Sequence, residues 1–288
     1  MMRVALIHQP YRPETAESAG QTGAWLDSRG IGQALLSAFE LERHDPSRFD
    51  LALSFGGDGT TLRTARWAIR AGVAIVPVGM GTLSFLAELA PTELADGLSP
   101  YLAGDFWRDE RAMLRVELGD EVKPAVLDGE SASGPAPRPP SPLLALNDVV
   151  VARGAALRAV SIDLAVHEHY VTRFTADGLV VATATGSTAY ALAAGGPVMA
   201  PDLRTIAIVP IAGHLSALES LILPESAQIR LTVARSQPAT LSLDGQVDFD
   251  LPVGQPVAVC LARERTVFAR RGDPRDFYAH LTARLRRS

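Results

Sequence analysis

A glycine-rich turn between two patterned segments constrains the fold of this chain more than any other feature. The apolar run 51–55 predicts a buried strand, and a helical pattern follows it over 61–71. The turn between them reads Gly56-Gly57-Asp58-Gly59-Thr60, and its three glycines allow a sharp bend that leaves backbone N–H groups open to an anion. Asp58 would repel a phosphate unless it bound a metal ion or a substrate hydroxyl. The turn therefore indicates phosphoryl transfer onto an alcohol.

Strand-like and helix-like segments alternate through the first part of the chain. We predict strands at 4–8, 51–55 and 73–78, helical material over 16–41 with a break near Gly30, and a further helix over 92–102. Such alternation predicts an α/β domain over residues 1–105, with a parallel sheet and flanking helices. Ligands of these sheets bind beyond the carboxyl ends of the strands, which is where the glycine-rich turn lies.

From about residue 106 the pattern changes to short apolar or alternating runs. They predict an antiparallel, β-rich second domain over 106–270. The runs are 112–118, 143–152, 159–166, 179–183, 206–210, 229–234, 240–243, 256–261 and 266–269. A stretch rich in Pro, Ser and Gly at 128–142 predicts a mobile loop inside a hairpin. The tail 273–288 has a helical pattern with arginines in its last turns.

The composition limits the possible functions. A net charge of −5 and the absence of a lysine- or arginine-rich block argue against a nucleic-acid partner. Lys123 is the only lysine and lies in Glu-Val-Lys-Pro, so a Walker A loop is excluded and Schiff-base chemistry is disfavoured. Cys260 is the only cysteine, which excludes an internal disulfide and a cysteine-based zinc site. The His-Glu-His string at 167–169 has no evident third ligand and predicts an exposed hairpin end rather than a metal site.

The chain shows no segment that would place it in or across a membrane. No apolar run reaches the ~18 residues that span a bilayer. The apolar run at the amino terminus is too short for a signal peptide and is typical of a first strand. We therefore expect no membrane partner and a cytoplasmic location.

A second set of small and hydroxyl-bearing residues follows the predicted strand 179–183. Asp177-Gly178 precedes this strand, and Thr185-Gly186-Ser187-Thr188-Ala189-Tyr190 and Gly195-Gly196-Pro197 come after it. The clustered hydroxyls can cap a helix and donate to phosphate or ribose oxygens. The Tyr190 ring can pack against a base.

These motifs, taken in order, resemble those of the NAD kinase family. The matching segments are 56–60, Ala145-Leu146-Asn147-Asp148-Val149-Val150, 177–197, Pro210-Ile211 with His214, and Asp244-Gly245-Gln246. Lipid kinases and phosphofructokinases carry glycine–aspartate turns like the first one, but the combination is specific. The resemblance covers nearly the whole length. Two other interpretations stay open, namely a lipid kinase that shares the turn and a catalytically weak dinucleotide-binding regulator.

The resemblance implies an activity, its partners and an organisation. The family transfers a phosphoryl group from ATP with Mg²⁺, or from polyphosphate in some members, to the 2′-hydroxyl of the adenosine ribose of NAD, which gives NADP. It also implies a carboxy-terminal segment, 271–288, that returns to the first domain, and a homodimer or homotetramer.

The resemblance also implies residue roles. Asp58 would be the general base, and no protein residue would be a fixed ligand of the metal. The residues implied to bind NAD are Asp58, Gly59, Arg63, Asn147, Asp148, Arg158, Asp177, Thr188, Ala189, Tyr190, Ala193, His214 and Gln246. Those implied to bind the phosphates of the donor are Gly56, Gly57, Gly59 and Thr60.

Several positions depart from the family pattern. The third strand usually leads into a Gly-x-Asn-x-Gly loop, but Gly79 stands here in place of the asparagine, and Ser84 replaces a glycine. Asp148 stands where Glu is frequent. The remaining departures are Ala184 for proline, Ala193 for serine and Glu219 for arginine. They bear on substrate affinity and donor choice and leave Asp58 intact.

Overall fold

The structure is a computed structural model that describes residues 2–81, 84–119, 121–124, 142–154, 158–213, 218–234, 239–275, 277–279 and 281. The chain divides into two compact units. The first comprises Met1–Arg111 and Glu264–Ser288, and the second comprises Ala112–Arg263. The predicted loop 128–142, except for residue 142, and most of the predicted helix 273–288 lie outside the described residues.

The first unit contains a parallel sheet with helices. Its elements are Arg3–His8 (β1), Pro13–Asp27 (α1), Gly32–Ser37 (β2), Leu51–Gly56 (β3), Asp58–Ala68 (α2), Ala74–Gly79 (β4), Leu94–Gly97 (α3) and Ser99–Leu102 (α4). The strands are ordered β2-β1-β3-β4, and each neighbouring pair is parallel. All six residues of β3 are buried, as its continuous apolar sequence predicts. The structure confirms the predicted α/β fold.

Two helix predictions in this unit are wrong in detail. The helical material predicted over 16–41 is helix α1 followed by strand β2, which pairs with β1 from Arg3 to His8. Gly30 adopts a φ of +69° just after α1, which allows the chain to turn into the strand. The Gln-Ala-Leu-Leu sequence of β2 favours a helix, and pairing with β1 overrides that preference. The helix predicted over 92–102 is a 3₁₀ turn followed by the short helices α3 and α4.

The second unit is built almost entirely from antiparallel strands. Two strands extend along the chain from one unit into the other, Trp107–Leu118 (β5) and Pro256–Arg270 (β17). The other elements are Lys123–Pro124 (β6), Leu143–Ala145 (β7), Asp148–Arg153 (β8), Val160–Val166 (β9), His169–Ala176 (β10), Gly178–Thr183 (β11), Tyr190–Ala193 (α5), Thr205–Ile211 (β12), Leu221–Pro224 (β13), Ile229–Val233 (β14), Ala239–Leu243 (β15) and Val247–Leu251 (β16). The runs predicted at 256–261 and 266–269 are one continuous strand, β17.

Two sheets share the core of the second unit. One sheet has the strand order β13-β12-β11-β8-β15-β16-β6, and the other contains β10-β9-β14 followed by the first part of β17. Val149 and Val151 of β8 belong to the same hydrophobic cluster as Ile162 and Leu164 of β9. The structure confirms the β-rich second part and places the 167–169 string at the hairpin between β9 and β10.

Candidate active site

The glycine-rich turn joins the buried strand β3 to helix α2 in the first unit. Gly57 is the N-cap residue, and Asp58 is the first residue of the helix, three positions earlier than the sequence pattern predicts. The backbone N–H of Thr60 donates to the Gly57 carbonyl at 3.1 Å, which closes the first turn. Asp58 therefore lies at a helix N-terminus, where the helix dipole favours a negative charge.

Gly56 and Gly57 have different surroundings, and the lack of a side chain has a different consequence at each. A Cβ atom on Gly56 would lie 2.2 Å from the Thr60 Oγ1 atom and 2.7 Å from its Cβ, so glycine is required for Thr60 to pack there. The Thr60 side chain is accordingly buried. Around Gly57, by contrast, no heavy atom of the described residues, its two chain neighbours apart, lies within 4 Å of a Cβ position. This open space at the start of α2 leaves room for a ligand.

The Asp58 carboxylate contacts the segment that comes after the neighbouring strand β4. Its Oδ1 atom accepts hydrogen bonds from the Ser84 hydroxyl at 2.6 Å and the Leu86 N–H at 3.2 Å. Its Oδ2 atom accepts one from the Phe85 N–H at 3.0 Å. The carboxyl ends of neighbouring parallel strands meet at one sheet edge, which brings these distant residues together. The sequence marks Ser84 only as a departure from a family pattern and gives no sign of this contact.

A buried ion-pair network contacts the same segment at Leu86 and Glu88. Arg270 is 9% exposed, and its Nη1 atom donates to the Leu86 carbonyl at 2.9 Å and to Glu88 Oε2 at 3.0 Å. Its Nε atom lies 3.3 Å from Asp109 Oδ2. Arg111 also pairs with Asp109 at 2.6 Å. The sequence pattern gives no signal for this network, because its members are distant in the chain.

Arg63 lies on α2, five residues after Asp58. Its guanidinium stacks over the Phe39 ring, 4.2 Å from the ring centroid. Burial, and then the neighbouring charge of Arg66, lowers the pKa of Arg63. The side chain thus stands near the carboxyl edge of the sheet, packed on an aromatic ring that is itself 43% exposed.

In the second unit, Asn147 and Asp148 lie at the start of β8, and the Asp244 carboxylate holds their backbone. Asp244 accepts from the N–H groups of Leu146 at 3.0 Å, Asn147 at 2.8 Å and Asp148 at 3.2 Å. Asp244 itself adopts a φ of +53° in the turn between β15 and β16. The sequence predicts this Asp-Gly turn but not that its carboxylate organises residues nearly a hundred positions away.

The Asp148 side chain is buried, with 4% of its surface exposed. Burial, and then the nearby Asp244 charge, raises the pKa of Asp148 to about 7, while a hydrogen bond from the Tyr190 backbone N–H opposes this rise. The carboxyl group therefore keeps its proton to a higher pH than an ordinary aspartate does. In that condition it can either accept from or donate to a ribose hydroxyl.

The hydroxyl-rich string forms a 3₁₀ turn over Thr185–Thr188 and then α5. Its Ser187 hydroxyl is fully buried, donates to the Ala184 carbonyl at 2.7 Å and accepts from the Met199 N–H at 2.9 Å. The expectation that these hydroxyls donate to a ligand is wrong for Ser187, because its hydrogen-bonding capacity serves the fold. Thr188 donates to the Thr185 carbonyl at 3.3 Å.

Gly186 allows this turn to press against the start of β8. A Cβ atom on Gly186 would lie 2.0 Å from the Asn147 carbonyl oxygen. The Tyr190 side chain is 47% exposed, and Ala193 is exposed. Ala189 links the two turns through its N–H, which donates to the Gly186 carbonyl at 2.9 Å. The structure therefore groups Asn147, Asp148, Thr188, Ala189 and Tyr190 at one end of β8.

Asp177 lies at the opposite end of β8. Gly178 pairs with Ala152 and Ala182 pairs with Asp148 in the antiparallel register, so Asp177 lies beside Arg153, five strand residues or ~17 Å from Asp148. Its carboxylate forms an ion pair with Arg153 at 3.0 Å. Of the other predicted ligands, Gln246 belongs to the turn that contacts the start of β8. Arg158 is exposed just before β9, and His214 lies outside the described residues.

Neither a group of metal-binding side chains nor a membrane-spanning helix is found in the part of the chain that the structure describes. No group of three His, Cys, Asp or Glu side chains among these residues is arranged to hold a metal ion. No helix within the described ranges is long and apolar enough to cross a bilayer.

The α/β unit with its glycine–aspartate turn and the antiparallel β unit together are typical of kinases that phosphorylate an alcohol on a small molecule. A family model described as the ATP-NAD kinase N-terminal domain matches residues 36–106, and one described as the ATP-NAD kinase C-terminal domain matches residues 146–271. An NAD kinase of Chloroflexus aurantiacus is 35% identical over 291 residues, which cover 99% of each chain. An NAD kinase of Dehalococcoides mccartyi is 34% identical, covering 99% of this chain and 96% of its own. The chain belongs to the NAD kinase family.

Solved structures agree with this fold. The crystal structure of yeast NADH kinase complexed with NADH matches with a TM-score of 0.80 at 24% identity, covering 99% of this chain and 87% of the yeast chain. An NAD kinase from Archaeoglobus fulgidus in complex with ATP matches with a TM-score of 0.74 at 23% identity, covering 99% of both chains. At these identities the likeness concerns the fold.

Proposed function

We propose that this protein transfers the γ-phosphoryl group of ATP to the 2′-hydroxyl of the adenosine ribose of NAD, giving NADP. The observation that carries the proposal is the setting of Asp58, at the first position of α2, beside the open space around Gly57, and held by Ser84 and two backbone amides. A carboxylate so fixed can orient a sugar hydroxyl and accept its proton as the phosphoryl group is transferred. Membership of the NAD kinase family supports the same reaction.

We assign the donor to the first unit. Gly56, Gly57, Gly59 and Thr60 would bind its phosphates at the N-terminus of α2. Mg²⁺ would enter with ATP as the counter-ion of its phosphates, as this ion usually binds through substrate phosphates with few protein ligands. Polyphosphate has the same repeating chemistry and is a second possible donor.

We assign most contacts to the dinucleotide to the second unit. Asn147 and Asp148 would bind ribose hydroxyls, and the exposed Tyr190 ring, with Thr188 and Ala189, would bind the adenosine end. Asp177 would bind the nicotinamide side. The ~17 Å between Asp148 and Asp177 along β8 supports this division, because the two ends of an extended dinucleotide are well separated. Gly59, Arg63, Arg158, Ala193, His214 and Gln246 are further proposed contacts.

Three more properties are proposed from family membership. The protein would act in the cytoplasm, as a homodimer or homotetramer, with residues 271–288 completing the first domain. Light scattering on the purified protein measures the oligomeric state directly.

The test of the reaction is direct detection of NADP. Purified protein is incubated with NAD, ATP and Mg²⁺, and NADP is measured with an NADP-specific dehydrogenase. A lipid kinase would give no NADP and would phosphorylate diacylglycerol in micelles instead. A dinucleotide-binding regulator would bind NAD without forming product, so either result would refute the proposed function.

The role of Asp58 is tested by Asp58→Asn. We expect NAD binding to persist and kcat to fall at least about a hundredfold, which is the usual contribution of a general base. Asp96→Asn, an exposed carboxylate of the same unit, is the matched control and should retain full activity. Near-wild-type turnover in D58N would exclude Asp58 as the base.

A further inference from the structure

The Ser84 hydroxyl is fixed in direction by two hydrogen bonds. Its oxygen accepts the Ala87 N–H at 3.0 Å and lies 2.6 Å from Asp58 Oδ1. An amide can only donate and an ionised carboxylate can only accept, so the single hydroxyl proton of Ser84 must point to Asp58. A hydrogen bond from a neutral hydroxyl to a carboxylate at this distance is strong.

The hydrogen bonds leave the two carboxylate oxygens of Asp58 unequal. A carboxylate offers about four acceptor positions, two on each oxygen. Oδ1 uses both of its positions, for Ser84 and Leu86, whereas Oδ2 accepts from Phe85. Among the described residues, this leaves one acceptor position on Oδ2. That position is the one at which a substrate hydroxyl can be bound and deprotonated.

We propose that Ser84 is a positioning residue for proton abstraction, which occupies Oδ1 and thereby presents Oδ2 of Asp58 to the acceptor hydroxyl. The proposal rests on the proposed function, since it deepens the role of Asp58 in that reaction. Ser84 acts through Asp58 and does not itself exchange a proton with the substrate.

Gly79, the other departure in this loop, is part of the same arrangement. A Cβ atom on Gly79 would lie 2.8 Å from the Ala87 Cβ and 3.9 Å from the Ser84 Cβ. A larger residue at position 79 would displace Ala87, whose N–H orients the Ser84 hydroxyl. The glycine in place of asparagine and the serine in place of glycine are thus structurally linked, and together they give the base a hydroxyl partner.

The Ser84 hydroxyl can be removed without dismantling the segment. The Phe85 and Leu86 amides still hold Asp58, and the Leu86 carbonyl is bound by the buried Arg270 at 2.9 Å. The Ser84→Ala variant should therefore fold, while its Asp58 carboxylate gains freedom to rotate. Because a misplacement of about 1 Å can cost on the order of a hundredfold in rate, a smaller displacement of Asp58 should lower turnover.

The experiment compares four proteins in the NADP-forming assay with saturating ATP. We expect S84A to lower kcat about tenfold with a KM for NAD within twofold of wild type, and Ser84→Thr, which keeps the hydroxyl, to stay within threefold in kcat. Ser28→Ala is the matched control, because this serine donates to the Trp25 carbonyl at the exposed end of α1. It should match wild type.

A double-mutant cycle distinguishes positioning of Asp58 from a general structural effect. In the Asp58→Asn background, S84A should change the residual rate less than twofold, because the base it positions is gone. An S84A enzyme as fast as wild type, or an equal loss in both backgrounds, would overturn the inference. If S84A loses its melting transition, Ser84→Gly gives the same comparison, with the same expected and overturning results.

The same series separates failure of the inference from failure of the function. A wild-type protein that forms no NADP refutes the proposed reaction. A wild-type protein that forms NADP at the same rate as S84A refutes only the role of Ser84.

Discussion

The most quantitative prediction concerns the buried carboxyl group of Asp148. Only 4% of this residue is exposed, and its neighbour Asp244 carries a charge that three backbone amides hold in place. Burial and then this charge raise the pKa of Asp148 from its ordinary 3.8 to about 7. The change Asp148→Asn removes the titrating group and keeps the shape of the side chain. We therefore expect the variant to differ from wild type in the pH dependence of stability.

The sign of the effect is set by proton binding in the two states. Between about pH 4 and 7 the folded protein keeps the Asp148 proton, while the unfolded chain releases it. The free energy of unfolding therefore falls as pH rises through this window, and it is constant with respect to Asp148 above it. A shift of about three pKa units, at 1.36 kcal/mol per unit, sets the total loss at no more than about 4 kcal/mol.

Urea unfolding of wild type and D148N at pH 5, 6, 7 and 8 measures this effect. The stability of D148N relative to wild type should increase by roughly 1.4 kcal/mol per pH unit from pH 5, or by about 2–3 kcal/mol up to pH 7, and then level off. Asp202→Asn, an exposed carboxylate of the same unit, controls for loss of a surface charge. A difference between D148N and wild type that is constant from pH 5 to 8 would refute the reasoning.

Two further predictions concern packing. Gly186→Ala places a Cβ atom 2.0 Å from a backbone carbonyl oxygen, so we expect this variant to lose several kcal/mol of stability. Gly20→Ala, in open space on α1, should be neutral or gain up to about 1 kcal/mol. Thermal unfolding of both variants measures these changes in stability. Arg270→Met leaves the Glu88 carboxylate without its buried guanidinium and should cost about 3–5 kcal/mol, against less than about 1 kcal/mol for Arg108→Met in an exposed pair. Equal melting temperatures for the two arginine variants would contradict this account.

Local patterns predict the elements whose sequence and environment agree. Strand β3, the turn and helix α2 are predicted by a continuous apolar run, three glycines and a helical periodicity. Strand β2 is missed, because Gln-Ala-Leu-Leu favours a helix and only pairing with β1 makes it a strand. The break predicted near Gly30 is correct, since that glycine adopts a positive φ. Local signals thus locate the end of α1, whereas the partner strand β1 determines the conformation of the next element.

The same distinction between local and long-range signals applies to the site residues. Motifs that are contiguous in the chain, such as the turn around Asp58, are visible in the sequence. The contacts that organise them are not, because Ser84 is 26 positions from Asp58 and Asp244 is 97 positions from Asn147. These pairs meet only because their strands end at the same sheet edge or lie side by side. No periodicity in one sequence encodes that adjacency.

Asp58 and Asp244 have similar hydrogen bonding but different roles. Each carboxylate accepts hydrogen bonds at both oxygens from a segment that is distant in the chain. Asp244 is 9% exposed and binds the backbone amides of Leu146, Asn147 and Asp148, so its carboxylate stabilises a loop. Asp58 is half-buried, and one of its donors is a side chain that substitution can remove without altering the backbone. Solvent access, and not the number of hydrogen bonds, therefore makes Asp58 the carboxylate of the two that can meet a substrate hydroxyl.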